Sequence, residues 1–209
     1  MENTANRIDL RGDLVALPVL SHENHGQRFY RFFLDVARLS GTADRLPIIA
    51  AQSVLEEMDL SAGSHITVTG QVRSYHVRTE ARRKLLLFVY AQSLQTSDAA
   101  PLNDVFLSGT ICKPPVCRRT PLGRQICDVI LAVPRPYRRA DYLPCILWGR
   151  NAAEAAAAAV GDELGLTGRL PSRQYTKRLG ETMEIRTAYE VSALSSHVLE
   201  YFSLEDSAE

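Results

Sequence analysis

A two-residue period of apolar and polar positions runs through most of this chain. Tyr142 to Trp148 sets Tyr142, Pro144, Ile146 and Trp148 on one side and Leu143, Cys145 and Leu147 on the other, which is the alternation of a strand. Both sides are largely apolar, so one set predicts a core and the other predicts aromatics that something besides water must cover. Phe29 to Ala37 alternates in the same way, with Tyr30, Phe32, Leu34 and Val36 as the core face and Phe29, Arg31, Phe33 and Asp35 opposite. Further strands are predicted at Arg7–Val15, Leu46–Ala51, His65–Arg73, Leu85–Leu94 and Glu163–Leu170. Thr182–Val191 is expected to be the last strand, with Met183, Ile185, Tyr189 and Val191 inward. Helices are few and short. One is expected over Ser53–Leu60 and one over Asn151–Val160, where seven of ten residues are alanine and Gly161 offers a C-cap.

The two halves repeat each other at an offset of 97, rising to 98 after the helical segment. Asn6 corresponds to Asn103, Leu10 to Leu107, Gly12 to Gly109, Gly26 to Gly123, Leu34 to Leu131, Val36 to Val133 and Arg38 to Arg135. Asp44, Leu46 and Pro47 correspond to Asp141, Leu143 and Pro144, and Gly63, Gly70 and Ser74 to Gly161, Gly168 and Ser172. The matches fall on turns and strand cores in one order, which predicts two copies of one barrel, over 1–97 and 103–199. The connection Thr96–Leu102, polar and proline-bearing, is the expected boundary and is too short for free tumbling.

Composition refines this picture in two respects. With 209 residues, 45% hydrophobic and 23% charged, the chain can build two cores. Neither a basic-then-apolar leader nor an apolar run of membrane-spanning length is present, so a cytoplasmic location is expected. The net charge of zero conceals a division. Residues 1–102 hold 11 Lys+Arg and 11 Asp+Glu, residues 103–199 hold 13 and 9, and residues 200–209 form an acidic tail with 0 and 4. The second half is therefore the one suited to a polyanion.

Its cations are interleaved with aromatics. Lys113, Arg118, Arg119 and Arg124 lie in one connection, Arg135, Arg138 and Arg139 with Tyr137 in the next, and Arg150 follows Trp148. Arg169, Arg173, Lys177 and Arg178 surround Tyr175. Aromatic faces with such charge beside them suit stacked bases and phosphates. In the first copy, Arg73 and Tyr75 begin a hairpin that continues through Arg82, Arg83 and Lys84, but Arg45 and Ala51 stand where the second has Tyr142 and Trp148. Phe29 and Phe33 either stack bases or pack against a partner subunit.

Strand, short helix, strand and cationic hairpin over Asp141–Arg178, preceded by Asn103–Gly109, Thr120–Gly123 and Asp128–Val133, resemble the bacterial single-stranded DNA-binding proteins over about 95 residues. The resemblance implies an all-β fold with short helices, two tandem five-stranded oligonucleotide/oligosaccharide-binding (OB) barrels. It implies sequence-independent single-stranded DNA binding in replication, recombination and repair. Trp148, Tyr142 and Tyr175 match the family's base-stacking positions. Four barrels around one strand would make a two-barrel chain a homodimer. The family's phenylalanine-terminated acidic tip, which recruits replication and repair proteins, has only a short counterpart here, with Phe202 seven residues from the end. The alternative is a primosome-like interaction module that uses the barrels as a scaffold.

No catalytic signature accompanies these features. No phosphate-binding glycine loop, zinc-protease helix or nucleophile elbow occurs, and the carboxylates are dispersed, so no catalysis and no cofactor are expected. His22 and His25 flank Glu23 without a third ligand, and Cys112, Cys117, Cys127 and Cys145 lack paired short spacings. The expectation is reduced cysteines and no metal.

Overall fold

The computed structural model describes residues 5–56, 58–78, 83–180 and 182–199. The first half contains β1 (Asn6–Leu14), β2 (Val19–Asn24), β3 (Gln27–Ala37), β4 (Ala43–Ala51), α1 (Gln52–Leu55), β5 (His65–Arg78) and β6 (Arg83–Thr96). The second contains β7 (Leu102–Ile111), β8 (Val116–Arg119), β9 (Gln125–Arg135), β10 (Arg139–Trp148), α2 (Arg150–Ala156), β11 (Glu163–Arg169), β12 (Ser172–Leu179), β13 (Thr182–Tyr189) and β14 (Val191–Leu199). Both helices are shorter than their alanine and leucine content suggests. Arg82, the acidic segment 200–209 and Phe202 within it lie outside the described residues.

Each half closes on itself. In the first, β1 pairs with β3, β3 with β4, β4 with β6, β6 with β5 and β5 with β1, and only β4–β6 is parallel. In the second, β7, β9, β10, β14 and β11 form the same ring, and only β10–β14 is parallel. These are the two five-stranded OB barrels that the resemblance implies, in the two copies that the repeat predicts. Closure of so small a ring brings strands into close contact where they cross. A Cβ at Gly12 would meet the Asp35 carbonyl oxygen, and one at Gly109 the Ala132 carbonyl oxygen, so a side chain at either would open its barrel. Inward residues fill both rings: Ile8, Leu10, Leu34, Leu46, Ile48 and Ile66 in the first, and Val105, Leu107, Leu131, Leu143, Leu147 and Leu166 in the second are all essentially inaccessible. Full burial of such a side chain contributes roughly 1.5–3 kcal/mol.

The barrels join edge to edge. β1 and β7 pair antiparallel from Asn6↔Leu107 to Arg11↔Leu102, and Ile8 lies opposite Val105, its own counterpart in the repeat. A pseudo-twofold therefore passes through that pair, and one twelve-stranded sheet runs through both barrels. The boundary segment is tied down as well, since Arg11 donates to the Ala100 carbonyl at 2.8 Å.

One expectation fails at the end of the chain. β14 closes the second barrel, whereas β13 pairs only with β12 in a separate two-stranded arm. Val191 is buried and Tyr189 half-buried, but Met183 and Ile185 are exposed. Alternation identifies residues that share a face and does not reveal whether another element covers that face.

Candidate nucleic-acid interface

The outer surface of the second barrel is built by cross-strand register. Trp148 lies opposite Ile126, Ile146 opposite Asp128, Pro144 opposite Ile130 and Tyr142 opposite Ala132. β8 extends the strip, with Arg118 opposite Ile126 and Val116 opposite Asp128. The inner set Leu143, Cys145 and Leu147 is buried. Trp148 remains 38% exposed and Tyr142 44%. The Trp148 indole Nε1 donates to Ser192 Oγ at 3.1 Å, which fixes the ring's edge and leaves it at the margin of a groove of about 660 Å³. Ile146, Val116, Arg118, Lys113 and Arg169 line the same groove.

The expected phosphate track divides by what each cation already binds. Arg118 pairs with Asp128 at 3.1 Å, Arg150 with Glu154 at 2.9 Å and Arg173 with Glu190 at 3.3 Å, all at the surface, where such pairs exchange readily. Among the described residues Arg119, Arg124, Arg138, Arg139, Arg169 and Lys113 show no ion-pair partner. Arg119 shares the face of Cys117 and so points away from Trp148. Tyr175 and Arg173 share a face of the β12–β13 arm, the Arg173 guanidinium 6.0 Å from the ring centre. Arg173 lines the groove and Tyr175 lies farther out along the strand. Lys177 stands opposite Glu184, and Arg178 donates to the Gly180 carbonyl at 3.1 Å.

Arg73 and Arg135 are held by Asp141 instead. This carboxylate is fully buried, and it accepts from Arg73 at 3.0 Å, Arg135 at 3.3 Å and the Ser74 backbone N–H at 2.8 Å. Ser74 Oγ in turn accepts from the Tyr142 N–H at 2.9 Å. The counterpart Asp44 is buried too, accepting from Arg38 Nε at 2.8 Å and the Ser172 N–H at 2.6 Å, while Ser172 Oγ accepts from the Arg45 N–H at 3.0 Å. Each barrel thus anchors the other barrel's hairpin through one buried carboxylate. This clasp brings His76 of the first barrel to 6.5 Å from the Tyr142 ring and places Arg38 in the groove beside Trp148. Reading the halves separately misses Arg38 and His76. The identity of Arg38 with Arg135 in the repeat was the available signal for the first of them.

Two further differences from expectation concern cysteine and the first barrel. Cys117 and Cys127 face each other across β8–β9 and are disulfide-bonded, where sequence spacing suggested free thiols. The pairing follows from strand register, which the spacing of cysteines does not encode. Cys145 stays a thiol, its pKa pushed up by burial. On the first barrel Arg45 is bonded to Asp35 at 2.7 Å and Phe33 is exposed beside it, facing a cleft of about 530 Å³ lined by Gln174, Thr187 and Tyr189. His22 stacks on Phe29 at 4.9 Å, and Tyr75 is exposed on its hairpin. Among the described residues no three His, Cys, Asp or Glu side chains converge as a metal site, and no helix is long and apolar enough to cross a membrane.

Residues 102–198 match the profile of the single-strand binding protein family. Single-stranded DNA-binding protein A of Bacillus subtilis is 35% identical over 106 residues, covering 47% of this chain and 60% of that relative. The chain therefore spans about three fifths of that relative's length. Single-stranded DNA-binding protein B of the same organism is 34% identical over 85 residues, which are 37% of this chain and 75% of the relative. A crystal structure of a deletion variant of the single-stranded DNA-binding protein from Thermus aquaticus superposes with a TM-score of 0.76 at 25% identity, over 99% of this chain and 100% of that one.

Proposed function

The chain belongs to the single-strand binding protein family, and from that premise we propose that it binds single-stranded DNA without sequence preference, protecting exposed strands during replication, recombination and repair. The observation that carries this reading is the outer strip of β8, β9 and β10, where two exposed aromatics, Trp148 and Tyr142, share one surface with the groove of Lys113, Arg118 and Arg169. Bases stack on the rings and phosphates meet the cations, each stacked base contributing about 1–3 kcal/mol. Tyr175 and Arg173 extend the path along the β12–β13 arm. The role is binding, with no reaction performed by the chain, and it belongs in the cytoplasm. In solution two chains associate to set four barrels around a strand, and replication or repair proteins are the further partners. Sedimentation velocity showing a monomer at micromolar concentration would refute the dimer.

Trp148, the single tryptophan, reports on the site directly. Titration with oligo-dT should quench its emission, and log affinity should fall linearly with log salt as phosphate contacts release counterions. Absence of quenching at any oligonucleotide length would sink the reading and point to the scaffold alternative, in which a protein covers the aromatic strip.

A further inference from the structure

Cys117 and Cys127 are bonded across β8–β9, where they stand opposite each other in register. β8 has four residues, all exposed, and it is the last strand of the twelve-stranded sheet, pairing among the described residues only with β9. So short an edge strand frays readily on its backbone bonds alone. Its other tie to β9 is the Arg118–Asp128 pair, and surface pairs contribute little. The first barrel holds its edge differently. At the equivalent positions, 97 residues earlier, Leu20 faces Tyr30, and His22 stacks on Phe29 in a strand of six residues. The second copy has a shorter strand, with Arg119 and Ile126 in place of that ring pair, so the covalent bond stands in for side-chain packing.

The bond also secures one wall of the groove. Val116 and Arg118, on either side of Cys117, line the groove beside Trp148, as do Lys113 and Pro114 just before β8. Cys117 is exposed and Cys127 buried, so a thiolate in solution reaches the first sulfur and not the second. In the cytoplasm, where dithiols keep accessible cysteines reduced, a bond of this kind forms and breaks with conditions. We propose that Cys117 and Cys127 are a thiol–disulfide exchange site for a dithiol/disulfide couple, and that their bond locks β8 as the wall of the groove. A thiolate of the dithiol bonds to Cys117 Sγ, the Cys117–Cys127 bond breaks, and Cys127 leaves with the electron pair and takes a proton. The second thiol of the dithiol then displaces Cys117, so the protein gains two thiols while the dithiol is oxidised to its disulfide. The reverse reaction restores the lock. Cys145, which is buried, and Cys112, which donates to the Ile130 carbonyl at 3.3 Å, stay free thiols in both forms. The effect on DNA rests on the single-stranded DNA reading, whereas the exchange and the loosening of β8 do not.

The test uses the full chain, oxidised with diamide or reduced with dithiothreitol, each reagent then removed. Maleimide labelling after denaturation should count two thiols in the oxidised form and four in the reduced one. Amide hydrogen exchange over Val116–Arg119 should be about tenfold faster in the reduced form. Affinity for labelled oligo-dT, read by anisotropy at fixed salt, should be about tenfold weaker. Cys117→Ser, at an exposed position, should behave as the reduced form after either treatment, and Cys112→Ser should respond as wild type. Four thiols after diamide, or exchange over Val116–Arg119 that ignores reduction, would overturn the lock whether or not DNA binds. A response to dithiothreitol that persists in Cys117→Ser would overturn it too, since another group would then carry it. Equal affinity of the two forms would overturn the role of β8 as the groove wall. Failure of both forms to bind oligo-dT, with the change in hydrogen exchange present, removes the parent reading and leaves the lock standing.

Discussion

The two barrels share a frame and differ in what they display. Gly12 and Gly109 permit ring closure, Asn6 and Asn103 bond the backbone of Val72 and Leu170 through matching amide contacts of 2.7–2.9 Å, and Asp44 and Asp141 anchor the opposite hairpins. At outward positions the copies part: Arg45 against Tyr142, Ala51 against Trp148, Gly41 against Arg138. Residues constrained by closure and by buried hydrogen bonds are the same in both copies, because a change there would leave a clash or an unpaired buried group. Residues that face solvent are free to specialise, and among the described residues it is the second copy that combines exposed rings with a cationic groove.

The clasp itself is unequal, and that inequality is the strongest place to break the comparison. Asp141 holds two arginines, Asp44 one, because the position of Arg73 is taken by Pro171 in the second copy. Asp141→Ala would leave two guanidinium groups, one largely buried, without a counter-charge. The expected loss is about 3–5 kcal/mol, or a Tm lower by about 10 °C. Asp44→Ala should cost about 2 kcal/mol, as expected for hydrogen bonds to one charged group. Chemical denaturation measures both. Equal losses would mean that Arg73 adds nothing, and losses under about 1 kcal/mol would mean that the β1–β7 pairing alone holds the barrels together.

A second comparison concerns binding. Trp148→Ala should weaken oligo-dT by roughly 1–3 kcal/mol, about tenfold to a hundredfold by anisotropy of a labelled strand. Phe33→Ala, on the first barrel, should change affinity less than about threefold, since Arg45 beside it is neutralised by Asp35. An equal loss at Phe33 would show that the first barrel remains a stacking platform despite its divergence.

Much of this arrangement was legible in residue order. Alternation placed Trp148 and Tyr142 outward and Leu143, Cys145 and Leu147 inward, and the repeat identified both barrels through glycines whose purpose only closure explains. Contacts between copies were not legible. Ser74 reaches Asp141 across 67 positions and Ser172 reaches Asp44 across 128, and neither serine marks itself as a clasp. The same limit hid the Cys117–Cys127 bond, which depends on register, and led Met183 and Ile185 to be read as core. An apolar period on a projecting arm looks identical to one on a closing strand.

The smallest expected effect distinguishes the barrels by pH. His65 stands opposite Asp13 in the β1–β5 register, its Nδ1 at 2.6 Å from Asp13 Oδ1 and its Nε2 at 2.9 Å from the Ala99 carbonyl. The bond to Asp13 is the main cause that raises the histidine pKa above its ordinary value, with Ala99 assisting and partial burial and Arg11 opposing. The second barrel places Glu163 opposite Thr110 at that register position. A raised folded pKa means that the folded state binds the proton more tightly. The stabilisation is therefore complete below the unfolded value of about 6.5 and is lost as pH rises through the folded value. For a surface pair it amounts to about 0.5 kcal/mol, a degree or two in Tm. His65→Gln should thus melt lower than wild type at pH 5.5 and level with it at pH 8.5, by thermal circular dichroism. A constant gap at both values would assign the contribution to the uncharged bond with Ala99, and the first barrel would then be no more sensitive to pH than the second.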